Sequence, residues 1–199
     1  MLLKSENKKK YTKLTPVRSM LLYALFYYEM LGEDSNLFVA NKLAYFFKRV
    51  GVSDFQRLKF KAHFYGPYSE QVVHVLHNMN NSYLKGLEQM NVKPFETIEL
   101  LYDKKETISQ YIHKEIPAVK IQQLKNLIHL INGFETPFSL EILASVDYIL
   151  KDKPTASLEE VITSIRLWNN RKGKLFKPQQ IKIAYEHLKN YQIRLSFHN

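Results

Sequence analysis

Apolar residues recur at helical spacing in two segments near the start of the chain. Thr15 and Pro16 suit an N-cap and a first helical position, and the apolar positions that follow predict one helix. Either Ser35 or Asn36 can cap a second helix, and Gly51 occupies the position where such a helix commonly stops. We expect the two helices to pack as an antiparallel pair.

A different pattern, with a period of two residues, follows the second helix. Its apolar positions are Leu58, Phe60, Ala62 and Phe64. This alternation predicts a strand with one buried face, broken by the turn residues Gly66 and Pro67. Ser69 then suits the N-cap of a third helix, and residues 83–87 and 97–102 read as two short strands. This order of elements predicts a winged-helix-like N-terminal half.

From Lys104 onward the apolar spacing is purely helical. Ser157 and Glu160 have the spacing of a capping box, and Lys177-Pro178 opens the last predicted helix. The predicted fold class is mainly α (α+β), a helical domain with a small antiparallel sheet. We expect a basic disordered tail over residues 1–14 and a single domain over 15–199, made of a helix/strand part (15–103) and a helical part (104–199).

Composition limits the classes of function. The 199 residues include no cysteine, which excludes disulfides and thiolate chemistry, and no apolar run is long enough for a membrane span. No signal-peptide pattern opens the chain, so we expect a cytoplasmic protein without membrane contact. The net charge of +10 favours contact with polyanions or with an acidic partner, although a lysine-rich solvated surface explains it equally well.

Motifs of the common enzyme classes do not occur. The sequence has no Gly-rich phosphate loop, no Gly-x-Ser-x-Gly and no His-Glu-x-x-His. His74 and His77 lie three residues apart, and a surface pair is a better interpretation than a metal site. We therefore predict no catalytic residue, no cofactor and no metal.

Two segments are candidate binding surfaces. Between Glu160 and Glu186 there is no acidic residue, and this segment holds Trp168, Arg171, Lys172 and Lys174. Cations beside aromatic rings can bind phosphates and stack on bases, and Gly173 leaves the backbone of this loop free to adopt a positive φ. The alternative is that Trp168 and its neighbour Phe176 anchor the core and the charges are only solvated.

The second candidate surface is the turn with His63, Tyr65 and Tyr68 around Gly66-Pro67. Tyrosine is a common interface anchor because it covers much area with little conformational entropy. The alternative is a simple strand-to-helix corner.

Several motifs together resemble one known family. They are Asn41-Lys-Leu-Ala-Tyr-Phe-Phe47, Leu58-Lys-Phe60, His63-Phe-Tyr-Gly-Pro-Tyr68, Tyr83-Leu-Lys-Gly86, Ile98-Glu-Leu-Leu101, the run from Gly133 to Ala144, and Trp168-Asn-Asn-Arg-Lys-Gly-Lys-Leu-Phe176. In order and spacing they resemble the C-terminal domain of the DarG antitoxin family over roughly residues 15–190.

This resemblance implies a non-catalytic antitoxin domain. Its partner would be a DarT-like toxin that uses NAD to ADP-ribosylate thymidine bases in single-stranded DNA, and binding would block access to DNA or NAD. The DarG macrodomain that removes ADP-ribose from DNA has no counterpart here, so the chain is expected to be either a domain fragment or a stand-alone neutraliser. The toxin-contacting residues would be those of the two candidate surfaces.

Two further expectations accompany this hypothesis. An acidic patch in the helical half would suit a domain that occludes a DNA-binding groove, and its candidates are Glu135, Glu141, Asp147, Asp152, Glu159 and Glu160.

The alternative function is a winged-helix-type DNA-binding transcriptional regulator, which the basic charge and the N-terminal helices allow. A third option is an ADP-ribose hydrolase, for which we expect no release of ADP-ribose from modified DNA. Weak nucleic-acid contact fits either of the first two functions.

Overall fold

Helices dominate the computed structural model, which describes residues 12–89 and 93–192. The helices are α1 (Pro16–Met30), α2 (Leu37–Arg49), α3 (Glu70–Met79), α4 (Lys105–Glu115), α5 (Ala118–Ile131), α6 (Pro137–Asp152), α7 (Leu158–Trp168), α8 (Asn170–Leu175) and α9 (Pro178–Gln192). The strands are β1 (Lys61–His63), β2 (Gly66–Tyr68), β3 (Leu84–Lys85) and β4 (Glu99–Leu100). The mainly α fold class is confirmed.

The predicted capping bonds form at Thr15, Asn36 and Ser157, whereas Ser69 precedes α3 without a side-chain capping bond. The Asn36 side chain accepts a hydrogen bond from the Val39 amide at 2.9 Å, which selects Asn36 as the cap of α2. At α7 the Ser157 hydroxyl accepts from the Glu160 amide (3.2 Å), and the Glu160 carboxylate accepts from the Ser157 amide (2.7 Å). The predicted capping box is therefore present.

The predicted single strand over 58–65 is wrong. Strand β1 covers only Lys61–His63, all three residues are exposed, and Phe64 is 47% exposed. Gly66-Pro67, expected to break the strand, instead forms β2 and pairs antiparallel with β1. The reason is tertiary: β2 is the strand that packs against α2 and α6, which leaves β1 on the solvent side of the hairpin.

The other two strands form a separate antiparallel pair. Leu84 lies opposite Leu100, and Lys85 lies opposite Glu99. The predicted order of helix, helix, strand, helix and two short strands is present, with β2 added to it. The likeness of this half to a winged helix stays a prediction.

A shared hydrophobic core joins the two halves of the chain. Helix α1 packs against α4, while α6 packs against α2, α7 and α9. Residues 12–14 of the predicted tail belong to this body, because Leu14 is buried and the Thr12 amide donates to the Ser82 hydroxyl at 3.1 Å. The tail prediction is wrong for these three residues, and residues 1–11 lie outside the described ranges.

Across the two described ranges, no helix is both long enough and apolar enough to cross a bilayer.

Candidate functional site

The tip of the β1–β2 hairpin is held by the junction between α7 and α8. The Trp168 indole Nε1 donates to the His63 carbonyl at 2.9 Å, and the Asn169 side-chain amide donates to the Phe64 carbonyl at 3.0 Å. Segments about a hundred positions apart in the sequence thus meet here. His63 and Trp168, predicted on two separate surfaces, belong to one.

Arg171 completes the junction between the two predicted surfaces. Its guanidinium carbon lies 4.9 Å from the centroid of the Tyr65 ring and 5.9 Å from that of Phe64. The Tyr68 ring lies 5.0 Å from the His63 ring. We call the surface formed by His63, Phe64, Tyr65, Trp168 and Arg171 the hairpin site.

The basic segment after Trp168 is not a loop. It forms helix α8, whose first turn is capped by the Asn169 side chain accepting from the Lys172 amide at 2.9 Å. Gly173 is helical and does not adopt the positive φ that glycine allows. A Cβ at Gly173 would lie 3.3 Å from the Arg166 carbonyl, and glycine here allows α8 to approach α7 closely.

Lys172 is not a surface residue, and its prediction as a contact residue is wrong. Its side chain is fully buried, and its ammonium donates to the Glu141 carboxylate at 2.5 Å. Arg171 donates to the same Glu141 oxygen at 2.6 Å. Burial lowers the pKa of Lys172, and the neighbouring Glu141 opposes that shift. Lys174 is exposed, as a contact residue requires.

Sequence reasoning missed Lys42, which lies behind the hairpin. This residue of α2 is 1% exposed, its ammonium donates to the Pro67 carbonyl at 3.0 Å, and it lies 4.6 Å from the Phe38 ring centroid. Burial, reinforced by the charge of Lys172, lowers the pKa of Lys42 to about 7. The available signal was a charged residue inside the apolar stripe of α2.

Two concave surfaces border the hairpin site. An open groove of about 710 Å³ runs past His63, Phe64, Leu167 and Trp168. A more enclosed pocket of about 240 Å³ has Lys42 in its lining. Within the described part of the chain, no cluster of His, Asp and Glu is placed to hold a metal ion.

Two of the six residues predicted for an acidic patch, Glu141 and Asp147, are corrected, whereas the patch formed by the other four stays a prediction. Glu141 and Asp147 are each 1% exposed and are paired inside the protein. Asp147 accepts from the Tyr45 hydroxyl at 2.5 Å and from Arg49 Nε at 2.7 Å. These carboxylates compensate buried donors, so they cannot present a negative surface to a partner.

Comparison with known proteins bears on the class of function. No family model matches the chain. A Thermus aquaticus protein named DNA ADP-ribosyl glycohydrolase is 28% identical over 182 residues, which cover 88% of this chain and 47% of that protein. Proteins of the same name from Mycobacterium bovis and Mycobacterium tuberculosis are each 26% identical over 127 residues, covering 62% of this chain and 36% of theirs. The chain therefore spans about half the length of the first relative and about a third of the others.

These names overturn the hypothesis drawn from the family resemblance. We expected a non-enzymatic, toxin-binding DarG domain, or alternatively a transcriptional regulator, whereas all three of these relatives are named as hydrolases. The description as a non-catalytic antitoxin acting by protein–protein interaction is therefore corrected. The lack of common catalytic motifs led to the prediction that the chain has no catalytic residue. Active sites depend on the geometry of side chains, which short motifs need not reveal.

Proposed function

We propose that this chain takes part in the hydrolytic removal of ADP-ribose from DNA. The observation that carries this proposal is the match to a protein named for that activity across 88% of the chain. The reaction transfers the oxygen of a water molecule to the anomeric carbon of ADP-ribose. The bond from that carbon to DNA breaks, and the DNA atom it leaves takes up a proton.

The hairpin site suits such a substrate because ADP-ribosylated DNA combines phosphates with flat bases. Phe64 presents a ring that is 47% exposed next to the Arg171 guanidinium. Leu167, 80% exposed, extends the apolar surface along the groove toward Trp168. An aromatic platform beside a cation is how proteins commonly bind single-stranded nucleic acid.

The overall charge acts in the same direction. A net charge of +10 attracts a polyanion from a distance, and the exposed Lys174 adds a cation one helical turn from Arg171. The cytoplasmic location predicted from the sequence fits a DNA substrate and stays a prediction. The predicted toxin partner also stays a prediction and is not needed for this proposal.

Release of ADP-ribose tests the proposal directly. The purified chain is incubated with a single-stranded oligonucleotide carrying ADP-ribose, and the released ADP-ribose is followed by liquid chromatography with mass spectrometry. The Thermus aquaticus relative in a parallel reaction shows that the substrate is competent. We expect release by this chain, slowed about tenfold by Phe64→Ala, which is the loss that one stacking contact of about 1–3 kcal/mol gives.

Val119→Ala is the matched control. Val119 is 64% exposed on α5, which contributes no residue to the lining of the groove. Its variant should release ADP-ribose at the wild-type rate. Unchanged oligonucleotide with excess chain, in a reaction that the relative completes, contradicts the proposal.

A further inference from the structure

The pocket of about 240 Å³ beside the hairpin site combines aromatic walls with one buried cation. Phe38, Tyr65 and Tyr68 contribute rings to its lining, and the exposed residues His63 and Glu70 also border it. Lys42 is the buried charged residue of this lining. The lining of the pocket therefore combines exposed residues with a buried lysine.

Positive charge exceeds negative charge around Lys42. The charges that act on Lys42 are those of Lys172 and Glu141, and both Lys172 and Arg171 donate to the same oxygen of the buried Glu141 carboxylate. An ammonium group has three hydrogens to donate. Among the described residues, Lys42 has one hydrogen-bond acceptor, the Pro67 carbonyl. Buried charges in proteins are normally paired. The excess of positive charge at Lys42 therefore favours the binding of an anion in this pocket.

We propose that this pocket binds a phosphate group of a nucleotide, with the Lys42 ammonium as its charged contact and the Tyr65 and Phe38 rings beside the attached sugar or base. The proposal rests on the proposed function, which supplies two sources of the same chemistry. One is the diphosphate of ADP-ribose and the other is a phosphodiester of DNA.

Size and local charge are consistent with a single phosphate and its neighbouring ring. The pocket is smaller than the roughly 300–1,000 Å³ of sites that enclose whole ligands, so the rest of the nucleotide would extend toward the hairpin site. Glu70 is the carboxylate that borders the pocket, and its charge is offset by Lys61 at 3.1 Å. A lysine binds phosphate as a point charge, which suits a contact from one side.

Binding should depend on pH through Lys42. With a pKa of about 7 in the free protein, this group loses its charge over the range in which a diphosphate diester keeps both of its own. The affinity for ADP-ribose should therefore fall as the pH rises above 7, by about tenfold in total for each unit by which binding raises the Lys42 pKa. The other titratable groups are His63, Tyr65, Tyr68 and Glu70 in the lining, Glu141 and Lys172, whose charges act on Lys42, and Arg171, which donates to Glu141.

The experiment titrates the full chain with ADP-ribose in one arm and with a short oligothymidylate in the other. Calorimetry and the fluorescence of Trp168, the single tryptophan, report binding. We expect Lys42→Met to weaken binding about tenfold or more, the loss of one charge-assisted hydrogen bond of about 1.5–3 kcal/mol. Lys125→Met, an exposed lysine of α5, is the matched control and should bind like wild type.

A second measurement needs no variant. The pKa of Lys42 is followed by NMR in the chain labelled with ¹³C at lysine Cε, with and without the ligand. Binding of a phosphate at Lys42 should raise this pKa by at least about one unit, because a nearby anion favours the ammonium form. A shift with ADP-ribose identifies a diphosphate as the source of the phosphate, and a shift with oligothymidylate identifies a phosphodiester.

The outcomes separate this inference from the proposed function. An unchanged Lys42 pKa in both arms, or equal affinities of wild type and a folded Lys42→Met variant, overturns the phosphate pocket even if ADP-ribose is released from DNA. A ligand-dependent Lys42 shift without any release from modified DNA supports the pocket and contradicts the proposed function.

Discussion

Glu141 is the buried carboxylate that balances the positive charges of Lys172 and Arg171. It is 1% exposed and accepts hydrogen bonds from Lys172 at 2.5 Å and from Arg171 at 2.6 Å. Glu141→Gln keeps the shape and one acceptor oxygen but removes the negative charge. Lys172, whose side chain is fully buried, then lies beside Arg171 without a counter-charge.

The size of the effect follows from that uncompensated charge. Removing one partner of a buried ion pair costs about 3–5 kcal/mol of unfolding free energy. Because the glutamine oxygen still accepts one hydrogen bond, we expect the lower end, about 3 kcal/mol, which lowers the Tm of a chain this long by roughly 6–12 °C. Adding Lys172→Met removes the stranded ammonium, so the double variant should be less destabilised than the sum of the single ones, by about 0.5–3 kcal/mol.

The effect also has a sign in pH. Burial already lowers the pKa of Lys172, and loss of the Glu141 charge lowers that pKa further. Between the lowered pKa of Lys172 in the folded state and the ordinary pKa of lysine, the unfolded state then binds more protons than the folded state. Stability therefore rises with pH in this range, and the Glu141→Gln loss should be larger at pH 6 than at pH 9.

Urea unfolding followed by far-UV circular dichroism measures these free energies at each pH. Lys174→Met is the control, since Lys174 is an exposed residue of the same helix, and it should stay within about 0.5 kcal/mol of wild type. The reasoning is refuted if Glu141→Gln costs less than about 1 kcal/mol, or if its cost and that of Lys172→Met simply add.

Three more predictions concern other buried groups. Because the pKa of Lys42 is about 7 instead of 10.5, wild type should gain stability over Lys42→Met between pH 7 and 10, by up to about 1.4 kcal/mol per pH unit, and a flat difference contradicts the shift. Gly66→Ala should cost about 1–3 kcal/mol more than Gly133→Ala in urea unfolding. Both glycines have positive φ. A Cβ at Gly66 would lie 3.0 Å from the buried Ser145 hydroxyl, whereas nothing lies within 4 Å of a Cβ at Gly133. Equal losses of unfolding free energy in the two variants would disprove this contact. Tyr45→Phe should cost about 1.5–3 kcal/mol, since its hydroxyl donates to Asp147 at 2.5 Å, and a thermal shift near zero would show that the bond adds no net stability.

Sequence analysis succeeded where short-range chemistry decides the structure. The caps at Thr15, Asn36 and Ser157 each satisfy amides within their own first helical turn, so a few neighbouring residues contain the whole interaction. The same holds for Gly51, whose positive φ ends α2.

It failed where burial depends on a partner far along the chain. Lys172 lies in a segment with several cations, and its buried partner Glu141 lies 31 positions earlier, so the segment alone does not show which lysine is inside. Strand β2 is buried because α2 and α6 pack over it, which its own three residues cannot show. The period-two alternation over 58–65 therefore predicted a buried face for a segment whose strand, β1, is exposed, whereas the buried strand is β2.

Arg171 connects the buried charges to the surface that would meet the substrate. Its guanidinium donates to the Glu141 carboxylate in the core, and the guanidinium carbon lies 4.9 Å from the centroid of the Tyr65 ring. A planar guanidinium held by a carboxylate loses less freedom when it meets a phosphate or a base than a solvated side chain does. The buried carboxylate that stabilises the fold thus also fixes the orientation of the cation at the hairpin site, because it restrains Arg171 before any ligand arrives.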